Sequence, residues 1–207
     1  MTRAIVSDFG GVLTTPLIDG FLAYQEASGV TTEDLGRAMQ RIAERRGENP
    51  LFQLERGELT EAEFGRLLAG ELPDGFDLIE LREAYFERLQ PNRAMIDFMR
   101  ELAERGLRMA LCTNNVREWE PLWRAKLPEL DQIFELVVDS AFVGTRKPEP
   151  RIFELTLAGL GDGLRFEDLL LVDDLDVNCD GARALGMQAV GFRSAEQAIA
   201  EIDSVLG

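Results

Sequence analysis

Short apolar runs recur along the chain and alternate, in its second half, with longer amphipathic segments. Each run is bounded by polar residues or glycine, as expected of a buried strand. The runs lie at residues 3–8, 108–113, 136–139, 169–173 and 188–190. Apolar residues recur at helical spacing over residues 95–102, 152–160 and 177–185. Strands that alternate with helices predict a parallel sheet covered by helices on both faces, which is an α/β, Rossmann-like fold.

Residues 16–90 do not follow this alternation. Apolar stripes at residues 35–42, 64–68 and 78–89 predict helices, and nothing in the segment has the pattern of a strand. Thr31 with Asp34 and Thr60 with Glu63 have the spacing that is typical of helix starts. We therefore predict an all-helical insertion over residues 16–90, within a core formed by residues 1–15 and 91–207.

Charge and composition exclude several classes of function. The 207 residues include 38 acidic and 22 basic side chains and no histidine, which gives a formal net charge of −16. Nucleic-acid binding requires Lys and Arg to neutralise phosphates, so we expect no nucleic-acid partner. Without histidine, the chain has no Ser-His-Asp machinery, no imidazole base and no histidine-bound zinc. Its chemistry must use carboxylates, hydroxyls, lysine, backbone amides or an oxygen-bound metal.

The cysteines and the apolar segments bear on the expected compartment. Cys112 and Cys179 lie in apolar segments, which is typical of buried free thiols in a reducing compartment. The first apolar run is too short for a signal peptide, and no run approaches the roughly 18 apolar residues of a membrane span. We expect a cytoplasmic protein with no membrane contact. The sequence does not decide between a monomer and a homodimer.

Carboxylates follow the first and fourth predicted strands. Asp8 precedes Gly10 and Gly11, and Asp173 and Asp174 end the fourth run. Ligands of open α/β sheets bind beyond the carboxyl ends of the strands, and clustered carboxylate oxygens suit Mg²⁺. The alternatives are a turn or helix-capping role for Asp8 and a solvated acidic loop for the pair.

A hydroxyl and a lysine occupy the two motifs between these carboxylates. Thr113 and Asn114 follow the second strand, where a hydroxyl and amides suit an anionic oxygen, although both residues also cap helices. Lys147 lies next to two prolines, which restrict the backbone and hold its ammonium at a defined place. The order of the four motifs favours a phosphate site over unrelated turns.

Taken together, these motifs resemble those of the haloacid dehalogenase-like (HAD) superfamily of hydrolases, and the resemblance covers the whole chain. The segments that carry it are DFGGVLTTP, LCTNN, VGTRKPEPRIF and LVDDLDVNCDGARALGM. GGVL in the first motif and ERGELTEAEF at residues 55–64 are most similar to the branch containing the N-terminal phosphatase domain of soluble epoxide hydrolase. The resemblance implies that residues 16–90 form a helical cap on a catalytic core.

The same resemblance implies a metal site and a nucleophile. Asp8 would attack phosphorus to give an aspartyl-phosphate that water hydrolyses. Asp8, the Gly10 carbonyl and Asp174 would hold Mg²⁺, with Asp173 nearby or acting through water. The resemblance thus implies an Mg²⁺-dependent phosphatase.

The remaining roles implied by the resemblance concern the substrate. Thr113, the Asn114 amide and Lys147 would hold the phosphoryl oxygens of a small phosphorylated metabolite. Asp8, Thr113 and Lys147 would therefore be the catalytic residues. Substrate choice would lie in the cap, where Arg56 either contacts substrate or pairs with Glu55 or Glu58.

Gly10 departs from the usual phosphatase pattern, which has a second aspartate two residues after the nucleophile as general acid and base. Loss of such a group lowers rates by about 10² to 10⁴. Halide needs no proton to leave, so one alternative is a 2-haloacid dehalogenase that uses Asp8 without metal. Another is a catalytically weak sensor that binds phosphate or metal. The intact pair Asp173 and Asp174 favours the phosphatase.

Overall fold

A single parallel sheet organises the chain in the computed structural model, which describes residues 2–73, 76–161 and 163–207. The strand order is β3-β2-β1-β4-β5, and every neighbouring pair is parallel. The strands are β1 (Ala4–Ser7), β2 (Arg108–Thr113), β3 (Leu136–Asp139), β4 (Leu169–Asp173) and β5 (Gln188–Gly191). All five lie at the predicted runs, so the predicted α/β fold with a parallel sheet is confirmed.

Five helices, joined by short loops, lie among the described residues from 16 to 90. They are α1 (Leu17–Ser28), α2 (Thr32–Arg46), α3 (Pro50–Glu55), α4 (Glu61–Ala69) and α5 (Leu78–Arg88). Thr31 and Thr60 begin α2 and α4 with reciprocal capping hydrogen bonds to Asp34 and Glu63, as their spacing predicted. The two capping boxes therefore fix where these helices begin.

The remaining helices cover both faces of the sheet. They are α6 (Arg93–Glu104), α7 (Glu120–Lys126), α8 (Leu130–Ile133), α9 (Ser140–Val143), α10 (Pro150–Leu160), α11 (Asp176–Ala184) and α12 (Ala195–Leu206). Alternate strand residues point to opposite faces: Ile5 packs with the core residues of α6 and α12, and Val6 packs with those of α10 and α11. The sheet is therefore buried on both sides, with its strand ends left to carry polar groups.

The chain passes between the core and the helical insertion through two adjacent segments. Thr14 and Pro91 form an antiparallel bridge, and the Thr15 amide donates to the Gln90 carbonyl at 2.9 Å. The predicted boundaries at 15/16 and 90/91 fall within these segments. The domain division stays a prediction, because one apolar cluster includes residues of both parts, such as Tyr85 of α5, whose ring centroid lies 5.8 Å from that of Trp119.

The cysteines and the apolar segments can be located in the structure. Cys112 and Cys179 are both buried and free, as predicted. Among the described residues, no helix combines the length and the apolar character needed to cross a membrane.

Candidate active site

Lys147 joins two of the strand-end carboxylates. Its ammonium Nζ lies 2.8 Å from Asp8 Oδ1 and 2.6 Å from Asp173 Oδ2, and its side chain is 1% exposed. Asp8 follows β1 directly, and its amide donates to the Val172 carbonyl of β4 at 2.9 Å. The parallel pairing of β1 with β4 thus brings Asp8 and Asp173, which are 165 positions apart, to one lysine. The sheet fixes the backbone of both acids.

Asp173 is held through both of its carboxylate oxygens. While Oδ2 meets Lys147, Oδ1 accepts from the Leu175 amide at 3.0 Å and from Asn178 Nδ2 at 2.9 Å. No role for Asn178 was predicted from the sequence, although its place in the first turn of α11 was the available signal. With these partners, Asp173 is oriented by the protein itself.

Asp174 completes a cluster of three carboxylates. Asp8, Asp173 and Asp174 each bring one oxygen within 4.8 Å of the others. The Asp174 carboxylate lies against Gly11, and a Cβ added at Gly11 would lie only 2.3 Å from Asp174 Oδ2. Gly11 also has φ +78°, a conformation that favours glycine. The oxygen donor set fits a hard divalent cation such as Mg²⁺.

The charges at the site do not balance. Burial raises the pKa of Asp8, Lys147 opposes the rise, and Asp173 adds to it. Burial alone would lower the pKa of Lys147, but the carboxylates of Asp173 and Asp8 raise it above the usual lysine range. Burial and then Asp173 raise the pKa of Asp174. When ionised, three carboxylates with one ammonium leave two negative charges, which a dication would neutralise.

Thr113 ends β2, and Asn114 follows it directly. Thr113 is 2% exposed. The Asn114 side chain donates from Nδ2 to the Lys147 carbonyl at 3.0 Å and accepts from the Lys147 amide at 2.8 Å. Its side chain therefore fixes the lysine backbone, and the predicted phosphate contact of the Asn114 backbone amide stays a prediction.

Gly10 lies beside this cluster in open space. A Cβ added there would meet no atom within 4 Å, and the residue does not have a positive φ. The position that carries the second aspartate of the usual pattern can therefore accept a side chain. The predicted role of the Gly10 carbonyl as a metal ligand stays a prediction.

Arg56, for which substrate contact was one expectation, and Arg117 both have protein partners. Arg56 pairs with Glu48 at 2.6 Å, Glu58 at 2.8 Å and Glu149 at 3.1 Å. Its predicted alternative pairing with Glu58 is found, whereas Glu55 pairs elsewhere. Arg117 donates to the Ala141 carbonyl and lies over the Phe142 ring, 4.8 Å from its centroid.

Comparisons of the sequence with known proteins agree with this geometry. The family model described as haloacid dehalogenase-like hydrolase matches residues 2–186. The chain is 26% identical to bifunctional epoxide hydrolase 2 of Rattus norvegicus, over 99% of this chain and 39% of that protein. It is 34% identical to glyceraldehyde 3-phosphate phosphatase of Pyrococcus abyssi, over 53% of this chain and 44% of that one. The chain thus spans less than half the length of the epoxide hydrolase.

Solved structures share the fold. A HAD family enzyme of Bacteroides thetaiotaomicron, in complex with magnesium and inorganic phosphate, superposes with TM-score 0.69 and 21% identity, covering 93% of this chain and 95% of that one. L-2-haloacid dehalogenase of Xanthobacter autotrophicus superposes with TM-score 0.64 and 21% identity, covering 99% and 83%. At this level of identity the two structures establish the common fold.

Proposed function

The chain belongs to the haloacid dehalogenase-like hydrolase family, and on that premise we propose that it is an Mg²⁺-dependent phosphatase of a small phosphorylated metabolite. The observation that carries the proposal is the meeting of Asp8, Asp173 and Asp174 around Lys147 beyond the strand ends. Phosphatases among the relatives, and the magnesium and phosphate in the Bacteroides enzyme, support the same reaction class.

The metal would be held by Asp8, Asp174 and the Gly10 carbonyl, with Asp173 nearby. Bound there, Mg²⁺ would neutralise the surplus negative charge of the site, so that a negatively charged phosphoryl group could approach Asp8. Because Asp173 already has Lys147 and Asn178 as partners, it is suited to orienting the lysine or a water. Asp174 has its carboxylate against Gly11 and is the better placed of the two for direct contact.

Asp8 would act as the nucleophile. An ionised carboxylate needs no base, so its oxygen forms a bond to phosphorus while the bond to the leaving oxygen breaks. The Thr113 hydroxyl, the Asn114 amide and the Lys147 ammonium would bind the phosphoryl oxygens and offset the charge that develops on them. Water then hydrolyses the aspartyl-phosphate, which releases inorganic phosphate and regenerates Asp8.

The leaving oxygen needs a proton that Gly10 does not supply. Histidine is absent from the sequence and therefore provides no substitute. Substrates whose leaving group is stable as an anion or weakly basic, such as an acyl phosphate or a sugar 1-phosphate, depend least on a general acid. We therefore propose that such substrates are preferred over simple alkyl phosphates.

A 2-haloacid dehalogenase is the second candidate. Gly10 favours it, since halide leaves without a proton, and a haloacid dehalogenase shares the fold. Asp174 counts against it, because a metal-free displacement has no use for a third carboxylate beside the nucleophile.

Hydrolysis of p-nitrophenyl phosphate with and without Mg²⁺ tests the proposal. We expect hydrolysis that requires Mg²⁺ and falls by at least about 10³-fold in Asp8→Asn, since the nucleophile is lost. Activity that survives EDTA contradicts the metal role. Chloride release from 2-chloropropionate without metal would establish the dehalogenase. Failure of both reactions, with Mg²⁺ or phosphate still bound, would favour the sensor.

A further inference from the structure

The segment ERGELTEAEF contains the contact by which the helical insertion meets the site loops. Glu55, at the end of α3, pairs with Arg146 at 2.5 Å, and Arg56 pairs with Glu149 at 3.1 Å. Both partners belong to the loop that carries Lys147. We call residues 55–61 the docking segment, because their contacts join the insertion to the core.

Arg146 is enclosed by the insertion. Its guanidinium carbon lies 4.1 Å from the centroid of the Phe52 ring, and it donates from Nε to Glu55. The side chains of Arg146 and Glu55 are 13% and 16% exposed. Burial raises the pKa of Glu55, and Arg146 opposes the rise.

The other end of the docking segment meets the residues that follow Thr113 and Asn114. The Glu61 carboxylate accepts from the Trp119 indole at 2.9 Å and from Arg82 of α5 at 2.9 Å. The Glu61 amide donates to the Glu118 carboxylate at 3.2 Å. One short segment thus contacts the loops after both β2 and β3, which carry the predicted phosphate-binding residues.

Gly57 allows this contact to be close. A Cβ at this position would come within 2.3 Å of the Ala141 carbonyl oxygen in α9 and 2.8 Å of the Arg117 guanidinium. Its φ is +69°, so a side chain here also strains the backbone. Since the colliding atom is backbone, any side chain would push the docking segment away from the core.

We propose that Glu55 and Arg146 are positioning residues, through which the inserted helices hold the loop in the geometry that places the Lys147 ammonium against Asp8. The catalytic part of this inference rests on the proposed phosphatase function. Arg146 and Lys147 are adjacent in sequence and pair with different acids, Arg146 with Glu55 and Lys147 with Asp8. A shift of Arg146 therefore moves Lys147. Misplacement of a catalytic group by about 1 Å lowers rates by up to about 10²-fold.

Glu55→Gln, Arg146→Gln and the double variant test the pair through p-nitrophenyl phosphate kinetics. Each single variant is expected to lower kcat about tenfold or more with KM changed less than about twofold, because ground-state binding is retained. The double variant is expected to lose no more than either single one, since both remove the same interaction. Additive losses, or losses confined to KM, overturn the proposal. Glu71→Gln, which breaks pairs with Arg41 and Arg45 inside the insertion, is the control for a lost surface charge.

Gly57→Ala and Gly47→Ala form a matched pair that needs no activity. Both glycines have positive φ, +69° and +85°, but a Cβ at Gly47 meets nothing within 4 Å. Hydrogen exchange followed by mass spectrometry is expected to show faster exchange in the Lys147 loop, at the Lys147 and Glu149 amides, in Gly57→Ala alone. These amides donate to Asn114 Oδ1 and to the Arg146 carbonyl.

The exchange result separates this inference from the proposed function. Equal exchange in the two alanine variants overturns the positioning role, whatever the activity of the wild type. Faster exchange in Gly57→Ala supports it even if the wild type hydrolyses no phosphate ester, which would count against the phosphatase alone.

Discussion

Arg146 and Lys147 are neighbours in sequence, and each is a largely buried cation paired with carboxylates in a different part of the molecule. Arg146 meets Glu55 of the insertion, one charge against one. Lys147 meets Asp8 and Asp173, with Asp174 beside them. The first group, the pair of Arg146 and Glu55, is neutral, because each charge is offset by the other. The second has surplus negative charge, and surplus buried charge is maintained where a ligand of opposite charge binds. This difference in charge balance is what we expect if the first group is a structural contact and the second is the proposed metal site.

Removing each cation in turn tests this difference most strongly. Lys147→Gln leaves the carboxylates of the site without their cation, so in metal-free buffer we expect a loss of about 3 to 5 kcal/mol in the free energy of unfolding. With Mg²⁺ we expect a loss of about 10² to 10³ in kcat, since a donor to the transition state is gone. Urea unfolding and p-nitrophenyl phosphate kinetics measure the two effects. Arg146→Gln is expected to destabilise less, because the Glu55 side chain is 16% exposed whereas that of Asp173 is 0% exposed. Equal destabilisation by the two variants would contradict the distinction.

Gly10→Asp tests whether the site lacks only a proton donor. The position is open and its backbone suits any residue, so the variant is expected to fold and to raise kcat for an alkyl phosphate by about 10²-fold. For p-nitrophenyl phosphate, whose leaving group needs little protonation, the gain is expected to be smaller. Gly11→Ala is the matched control: its Cβ would collide with the Asp174 carboxylate, so activity is expected to fall. If a folded Gly10→Asp protein has the same preference for p-nitrophenyl phosphate over an alkyl phosphate as the wild type, a missing proton donor is not what limits the site.

Metal removal at two pH values has the smallest expected effect. Burial raises the pKa of Asp8 and Asp174 above the usual value near 4, so the folded, metal-free protein binds protons more tightly than the unfolded chain. Its stability from these groups is therefore greatest at low pH and falls as pH rises through the raised pKa values. At 100 times its Kd, Mg²⁺ is expected to add about 2.7 kcal/mol to the free energy of unfolding. The resulting rise in melting temperature is expected to be larger at pH 8 than at pH 5.

Two variants decide how that melting experiment is interpreted. Asp174→Asn removes a proposed metal ligand and is expected to abolish the Mg²⁺ effect at pH 8. Arg146→Gln changes the neutral ion pair and is expected to leave the effect in place. If Mg²⁺ stabilises the wild type equally at both pH values, or stabilises Asp174→Asn as much as the wild type, the charge surplus is not what binds the metal.

The sheet and the meeting of the strand-end residues could be predicted because both follow from local patterns. Each strand coincides with an apolar run, and parallel strands place their carboxyl ends at one edge. Asp8 and Asp173 were therefore expected at the same edge of the sheet, and the pairing of β1 with β4 brings them together. The helix starts at Thr31 and Thr60 were equally local, since a capping box spans four residues.

The partners of these residues could not be predicted in the same way. Asn114 holds the backbone of Lys147, 33 residues away, and Glu55 pairs with Arg146, 91 residues away. With 38 acidic and 22 basic side chains, many pairings are compatible with the sequence. Only the tertiary approach of α3 to the loop selects Arg146 for Glu55, and Glu149 and Glu48 for Arg56.

The bridge between Thr14 and Pro91 has a consequence for how such a chain can change over evolutionary time. Because the polypeptide leaves and re-enters the sheet region at neighbouring points, the distance that the insertion must span is the same whatever its length. Long insertions at such a point add little closure entropy, since that term grows only with the logarithm of length. The helical insertion is thus free to be lengthened, shortened or exchanged while the strands and their terminal carboxylates keep their places. Any replacement would need only to rejoin the chain at the same pair of residues.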